Sequence, residues 1–342
     1  MSIVADYARL IRLPGLGGLS IAPVFGAISV FSPEVIVNFK DIALLFLIGS
    51  FSAIYGFVLN DYFDVKIDTL SKELSERPLV KGTISRKIAL LICLFCFICA
   101  FIVIFLFFYN NHPSFYVGIL CILLSAVVGS IYNIYGKKFI GSDFLVALSE
   151  ALLVLFGAFM VVQAGSLTVF SWIICILTFN QLVYMNAVEG GIKDADHDYK
   201  KNVKNLALYS GVKVTKQKLL YIPPTFKFLG ISIRLFSSIL IFVPFLLYQE
   251  SYHYEWWNLL LLLLLAIFVL YGSYKFLHIS QFDRKTIRKS IAKQTFLRYA
   301  FVPIMLIPLI DMIPAIILVL FPIVWYLVFT PLVGGKLLQP GI

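Results

Sequence analysis

The sequence predicts an all-α integral membrane protein of about nine transmembrane helices. The 342-residue chain is 61% hydrophobic and 13% charged, with a mean hydropathy of +0.94, far outside the usage of soluble globular domains. Apolar segments of about 20 residues, enough to span a bilayer core of about 30 Å, recur along the chain. Lysine and arginine collect in alternate connecting loops, as the positive-inside rule expects of a multi-pass protein.

The first apolar segment covers about 14–31 and follows Arg9 and Arg12. Eight more are predicted at about 43–60, 88–109, 116–135, 144–162, 169–188, 228–248, 256–276 and 299–330. Four prolines interrupt the last segment, so it is expected to be kinked. The whole chain, 1–342, is interpreted as one membrane domain. It comprises two pseudo-repeats of four helices, about 14–138 and 142–280, and a ninth helix.

The connecting loops predict the orientation. Loops at 110–113, 163–166 and 249–253 contain no lysine or arginine, whereas the loops between them are basic. The rule then places the N-terminus in the cytoplasm and the C-terminus outside, in what we expect is the plasma membrane of a prokaryote. The net charge of +10 is attributed to these loops and not to nucleic-acid binding.

A polar stretch, NDYFDVKID, follows the second apolar segment at residues 60–68. Asn60, Asp64 and Asp68 are four residues apart, so on a helix their oxygens line one face. Buried carboxylates cost several kcal/mol unless they are paired or bind a metal. Hard oxygen donors with open geometry favour Mg²⁺, which accepts one or two carboxylates together with water and substrate phosphates.

A second acidic stretch, DADHD, follows the sixth apolar segment at residues 194–198. Asp194 and Asp198 are again four residues apart, and lysines flank them on both sides. Two such clusters, if they face each other, suit two or three Mg²⁺ ions over a diphosphate. Asp61 and Asp196 lie within the same stretches, and whether they bind metal is left open.

At this point the chain resembles the UbiA superfamily of intramembrane prenyltransferases. Residues 60–68 match that family's NDxxDxxxD pattern, and residues 194–198 match its DxxxD. RPLVKG at 77–82 is similar to the family's basic loop, and Tyr132-Asn133 with Lys137-Lys138 is similar to its tyrosine and lysine/arginine stretch. The resemblance covers roughly residues 8–280 and implies a bundle of helices around a central cavity that opens to lipid.

The resemblance also implies roles for individual residues. The expected Mg²⁺ ligands are Asn60, Asp64, Asp68, Asp194 and Asp198. The expected diphosphate-binding residues are Arg77, Lys137, Lys138, Lys204 and Asn133. Asp64, Asp194 and Tyr132 are the expected catalytic residues, with the Tyr132 ring facing an allylic cation. The implied reaction transfers an isoprenyl group from a prenyl diphosphate to a lipophilic acceptor on the cytoplasmic side and releases pyrophosphate.

Several points stay open in the sequence. The acceptor is an aromatic quinone precursor or an archaeal-type glycerolipid, and neither is favoured. A cyclase of the same superfamily would need no acceptor. A transporter that couples cations through membrane acids is the alternative from another class, although transport sites lie near the bilayer midplane and both acidic stretches lie at predicted helix ends. The prenyl chain length and the oligomeric state are not predicted.

Overall fold

The computed structural model describes residues 3–30, 38–69, 74–162, 167–247 and 254–334. The loops at 163–166 and 249–253, which contain no lysine or arginine, lie outside the described residues, as does Lys72 of the basic loop that follows the first acidic motif. The helices are α1 Ile3–Leu10, α2 Leu13–Leu19, α3 Ala22–Ser29, α4 Phe39–Asp68, α5 Pro78–Lys81, α6 Arg86–Phe107, α7 Pro113–Tyr135, α8 Asp143–Val161, α9 Val169–Val183, α10 Gly191–Lys193, α11 Ala195–Lys200, α12 Leu206–Tyr209, α13 Pro224–Leu240, α14 Val243–Leu247, α15 Trp256–Leu277, α16 Arg284–Tyr299, α17 Phe301–Met305, α18 Ile307–Ile310 and α19 Met312–Phe329.

Nine helical stretches of the described chain are long and apolar enough to cross a membrane. This confirms the all-α membrane class, and most predicted segments agree with a helix to within a few residues at either end. The first span begins at Ile3 and is built from three consecutive helices, whereas the sequence predicts a start near residue 14. The second is the 30-residue α4, which continues without a break through the first acidic motif.

Helix α6 shows how the apolar segments divide between packing and lipid. Ser85 caps its start by accepting a hydrogen bond from the Ile88 amide at 3.3 Å. Its buried face consists of small or slender side chains at helical spacing, namely Ala89, Cys93, Cys96, Ala100 and Ile104. Small side chains let helices approach closely in a membrane, where apolar burial alone drives little association. Large side chains such as Leu91, Phe95 and Leu106 are exposed, as expected for a surface that faces lipid.

The chain divides into two compact units, which are described separately. The first comprises Met1–Ile134, Leu148–Ser171 and Phe321–Ile342. Helices α3 and α8 approach closely in this unit because two glycines face the opposite backbone. A Cβ atom at Gly26 would lie 1.9 Å from the Val154 carbonyl oxygen, and one at Gly157 would lie 1.9 Å from that of Pro23. The predicted pair of four-helix repeats is a relation between sequence segments and stays a prediction.

The C-terminal part of α19 packs against the N-terminal helices of the first unit. The Trp325 indole donates a hydrogen bond to the Leu13 carbonyl at 2.8 Å, and Arg9 Nε donates one to the Val333 carbonyl at 2.9 Å. Arg12, one turn from Arg9, binds Asp61 at the end of α4. Val333 therefore lies at the same end of this unit as the first acidic motif, whereas the predicted topology places the end of the last span on the opposite side. The C-terminus itself lies outside the described residues, and its predicted location stays a prediction.

The second unit comprises Tyr135–Ala147 and Trp172–Leu320. Its helices α13, α15 and α16 pack around a core that includes Tyr184, Phe226 and Phe276. A short antiparallel hairpin, β1 Lys213–Val214 and β2 Leu220–Tyr221, stands in the basic loop after the second acidic motif. This hairpin was not predicted from the sequence. The Phe282 amide, which donates to the Lys218 carbonyl at 2.8 Å, fixes the hairpin to the segment before α16.

The predicted ninth helix, 299–330, is the segment that differs most from the structure. It is divided into α17, α18 and α19, and the break before α19 is at Asp311, whose φ is 66° and ψ 171°. That left-handed φ is unfavourable for a residue with a Cβ atom and cannot belong to a helix. Pro322 instead lies inside α19, and the candidate span is Met312–Val333.

Candidate active site

The first acidic motif occupies the C-terminal end of α4. Because α4 is helical through Asp68, Asn60, Asp64 and Asp68 lie on one face, one turn apart, as the sequence predicts. Asn60 is half-buried, whereas Asp64 and Asp68 are only 8% and 2% exposed. Buried carboxylates at this spacing form a compact set of hard oxygen donors at the end of a membrane helix.

Asp61 and Asp68 are joined by arginines from two other parts of the first unit. Arg12, at the start of α2, contacts Asp61 at 3.0 Å, and Arg77, just before α5, contacts Asp61 at 3.2 Å and Asp68 at 2.6 Å. Burial lowers the pKa of Arg77, but the neighbouring carboxylates of Asp61, Asp68 and Asp64 outweigh this effect and raise it above its ordinary value. Arg77 therefore stays charged and adds positive charge beside the motif.

The second acidic motif lies where the membrane helix changes its winding. After α9 the chain forms a seven-residue π-helix, Tyr184–Gly190, then the single turn α10, and Asp194 stands between α10 and α11 with φ −105° and ψ 5°. The Asp198 amide still donates to the Asp194 carbonyl at 2.9 Å, so the two carboxylates remain one turn apart. π-Helical segments are rare and often occur at functional sites.

The carboxylates of the second motif are less buried than those of the first. Asp194 is half-buried and pairs with Lys193 at 3.3 Å, and Asp198 accepts a hydrogen bond from the Asn205 amide at 2.6 Å. Burial first, and repulsion from Asp194 second, raise the pKa of Asp198 to about 6, against the opposing effects of Lys137 and Asn205. A cation bound beside Asp198 would favour its ionised form and lower this pKa.

Asp196, the middle carboxylate of the second motif, is bound by an arginine that the sequence analysis did not select. Arg284, the first residue of α16, donates through one terminal nitrogen to Asp196 and through Nε to the Lys193 carbonyl at 3.3 Å. The His197 ring lies 3.4 Å from the other terminal nitrogen. Arg284 therefore contacts the chain on both sides of Asp194.

The predicted diphosphate-binding residues are distributed over both units. In the first unit, the Asn133 side chain donates to the Gly56 carbonyl of α4 at 3.1 Å, and Tyr132 beside it is half-buried. In the second unit, the Lys204 amide donates to the Lys137 carbonyl at 3.1 Å, so the loops that carry these two lysines are joined. Lys138 is exposed, and its ammonium group lies 4.8 Å from the centre of the Tyr135 ring.

The two acidic motifs offer carboxylate and amide oxygens, which are the kind of ligand that Mg²⁺ prefers. Among the residues that the structure describes, no three histidine, cysteine, aspartate or glutamate side chains are grouped closely enough to hold a metal ion by themselves. That excludes an all-protein cage within those residues. It fits a Mg²⁺ ion that is held by one or two carboxylates and completes its shell with water and phosphate oxygens, so the residues present fit the predicted ion.

The profile of the UbiA prenyltransferase family matches residues 20–293, which is most of the chain and includes both acidic motifs. The chain belongs to the UbiA prenyltransferase family. This membership makes it a membrane-embedded prenyltransferase and decides against the transporter that the sequence analysis left open.

Individual UbiA relatives give further comparisons. The digeranylgeranylglyceryl phosphate synthase of Saccharolobus solfataricus is 28% identical over 256 residues, which cover 70% of this chain and 84% of the relative. A solved digeranylgeranylglyceryl phosphate synthase structure has 19% identity and a TM-score of 0.63 and covers 91% of this chain and all of its own. A UbiA homologue from Archaeoglobus fulgidus, solved with DMAPP and Mg²⁺, has 17% identity and a TM-score of 0.59 over 87% of this chain and 99% of its own. The two solved structures show the UbiA fold.

The UbiA motifs predict the metal ligands, and what sequence reasoning missed is their surroundings. Arg12 and Arg284 lie far from the motifs in the chain, and in sequence both look like ordinary residues of basic loops. Their arginine identity was one signal, since a guanidinium is suited to bidentate carboxylate binding. Only the folded chain shows which arginines reach a carboxylate.

Proposed function

We propose that this chain is a Mg²⁺-dependent prenyltransferase that joins the isoprenyl group of a prenyl diphosphate to the free hydroxyl of a glyceryl phosphate lipid. The observation that carries the proposal is the set of buried carboxylates, Asp64 and Asp68, at the end of a membrane helix beside two arginines. Such a site binds a hydrophilic cation and a polyanion at the edge of an apolar bundle. The curated relatives named as digeranylgeranylglyceryl phosphate synthases support the glyceryl phosphate acceptor over an aromatic one.

In this proposal Asn60, Asp64, Asp68, Asp194 and Asp198 hold Mg²⁺. Mg²⁺ held by these residues would supply electrostatic stabilisation of the negative charge on the leaving diphosphate. Arg77, Lys137, Lys138 and Lys204, with Asn133, bind the diphosphate oxygens. A guanidinium has five N–H donors, so Arg77 can bind a diphosphate without releasing Asp68.

The bond that breaks joins the first prenyl carbon to the diphosphate oxygen, and its electron pair leaves with pyrophosphate. The acceptor hydroxyl oxygen forms the new bond to that carbon and gives its proton to the released pyrophosphate. Tyr132 presents its ring to the allylic cation, since aromatic faces attract cations. The positive loops support a site on the cytoplasmic side of the membrane.

The test uses the full chain purified in detergent, with geranylgeranyl diphosphate and either geranylgeranylglyceryl phosphate or 4-hydroxybenzoate as acceptor. We expect Mg²⁺-dependent pyrophosphate release and, by mass spectrometry, a prenylated glyceryl phosphate, with no reaction in EDTA. Asp64→Asn and Asp194→Asn should be inactive. Asp41→Asn, at the opposite end of α4, is the matched control. Prenylation of the aromatic acceptor alone, or pyrophosphate release without an acceptor, would contradict the proposed substrate.

A further inference from the structure

Helix α16 contacts both ends of the segment that carries the second acidic motif. Arg298, near its C-terminal end, binds Glu189 through both terminal nitrogens, one of them at 3.1 Å. Arg284, at its N-terminal end, binds Asp196 and the Lys193 carbonyl. Arg284 and Arg298 are separated by about 21 Å along the axis of this 16-residue helix, so one rigid element contacts the segment at two anchor points. Asp194 lies in the sequence between these anchor points.

The Glu189 anchor is fully buried. Glu189 and Arg298 have side chains that are 1% and 2% exposed, and a second arginine, Arg234 of α13, lies 3.8 Å from Glu189. Arg234 also donates to Gln181 at 2.8 Å and lies 3.4 Å above the Tyr184 ring. Removing one partner from a buried pair leaves an uncompensated charge, so the bidentate geometry holds Glu189 in one place.

Glu189 belongs to the π-helical segment and not to a regular α-helix. A π-helix has more residues per turn than an α-helix, because its hydrogen bonds run from i to i+5. The length of the π-helix therefore sets the direction about the helix axis in which the following side chains point. Tyr184 and Glu189 of the π-helix contact both Arg234 and Arg298, and Gln181, one turn earlier in α9, contacts Arg234. The direction in which Asp194 and Asp198 point therefore depends on where these arginines hold the π-helix.

Arg284 and Arg298 differ from the other cations of α16. Lys285, Lys289 and Lys293 recur every four residues and are exposed, which is the pattern of a solvated helix face. Arg284 and Arg298 are turned towards the acidic segment, with side chains 11% and 2% exposed. The same helix therefore supplies matched controls, because a change at Lys289 or Lys293 alters its charge without altering the two anchor points.

We propose that Arg284 and Arg298 are positioning residues that set the second acidic motif for Mg²⁺ binding, and that Asp196 and Glu189 are their partners and not metal ligands. The inference rests on the proposed function, since it assumes that Asp194 and Asp198 hold Mg²⁺. Asp196 binds Arg284, while Asp194 and Asp198 stand one helical turn apart on either side of it. Asp194 and Asp198 thus bind the ion, whereas Asp196 binds Arg284 of the protein.

The first experiment measures Mn²⁺ binding to the purified full chain by the EPR signal of free Mn²⁺, together with the Mg²⁺ concentration for half-maximal turnover. Arg284→Gln, Arg298→Gln and Asp196→Asn should each weaken Mn²⁺ binding and raise the Mg²⁺ requirement by about 10-fold to 100-fold, as for residues that orient metal ligands. Turnover at saturating Mg²⁺ should recover in Arg284→Gln. Lys289→Gln and Lys293→Gln should match the wild type in both measurements.

A double-mutant cycle separates positioning from general stability. Arg284→Gln combined with Asp196→Asn should bind Mn²⁺ no more weakly than either single variant, because both remove the same contact. If Arg298→Gln fails to fold, Arg284→Gln decides, since its contact is partly exposed. Unchanged Mn²⁺ affinity in Arg284→Gln and Asp196→Asn, with only a lower melting temperature, would overturn the inference. Wild-type protein without Mg²⁺-dependent turnover would instead contradict the proposed function.

Discussion

The two acidic motifs share a spacing but not a construction. The first is the continuous end of one 30-residue α-helix, and its carboxylates are buried by the first unit. The second follows a π-helix and a one-turn helix, and its carboxylates are half-buried. In each, an additional carboxylate, Asp61 or Asp196, is bound by arginine from another element. Helix continuity orients the first motif, whereas the second depends more on contacts from outside its own segment.

The largest expected effect is on turnover. Asp64→Asn should lower kcat by about 1,000-fold or more, because loss of one group that stabilises developing charge costs 10²–10³ in kcat and a metal ligand does more than one such group. Steady-state pyrophosphate release measures this. Asp41→Asn on the same helix should keep wild-type kcat, and an equal loss there would mean that the effect is on folding.

The next effect concerns how much each arginine-bound carboxylate, Asp61 or Asp196, contributes to the free energy of unfolding of the protein. Asp61→Asn leaves Arg12 and Arg77 without their shared charged partner and should lower the free energy of unfolding by about 3 kcal/mol. Asp196→Asn removes a contact whose carboxylate side chain is 25% exposed and should cost about 1 kcal/mol or less. Thermal unfolding of both variants in one detergent tests the difference. Equal losses would remove the contrast between a buried and a partly exposed pair.

Two glycine variants probe the backbone beside each motif. At Gly191 a Cβ atom would lie 2.5 Å from the Cβ of Ala207, whereas a Cβ atom at Gly56 would meet nothing within 4 Å. Gly191→Ala should therefore destabilise the protein by about 2 kcal/mol through overpacking. Gly56→Ala should stabilise α4 by up to about 1 kcal/mol, since alanine is the better helix former. A destabilising Gly56→Ala would show that α4 needs flexibility before the first motif.

The smallest expected effect concerns pH. Because the pKa of Asp198 is raised to about 6, the folded protein without metal binds more protons than the unfolded chain between about pH 4 and 6. Stability then falls as pH rises through that window. Asp198→Asn should stabilise metal-free protein at pH 7 by about 1 kcal/mol, after allowance for its partial exposure, and this gain should vanish near pH 4. Unfolding curves in EDTA at the two pH values measure it.

The membrane class, which the structure confirms, and the metal ligands, which stay a prediction, could both be proposed from the sequence because both rest on local patterns. Hydropathy is evaluated over one segment at a time, and the motifs that begin at Asn60 and Asp194 are each contiguous in the sequence. The predicted ninth helix at 299–330 differs from the structure because the break before α19 depends on the backbone geometry at Asp311, which hydropathy does not report. The partners of Asp61 and Asp196 were not predicted either, since Arg12 and Arg284 reach them only through tertiary folding.

The contact between Arg9 and Val333 bears on how the chain is threaded through the bilayer. If the first and last described helices end on one side, the number of crossings is even. The described residues contain nine candidate spans, an odd number, so an even number of crossings requires either a further crossing or one candidate that does not cross. Residues 284–310, about 40 Å long if helical throughout, are long enough for a further crossing despite the polar sequence of α16. Reporter domains fused at the two termini should then report the same compartment.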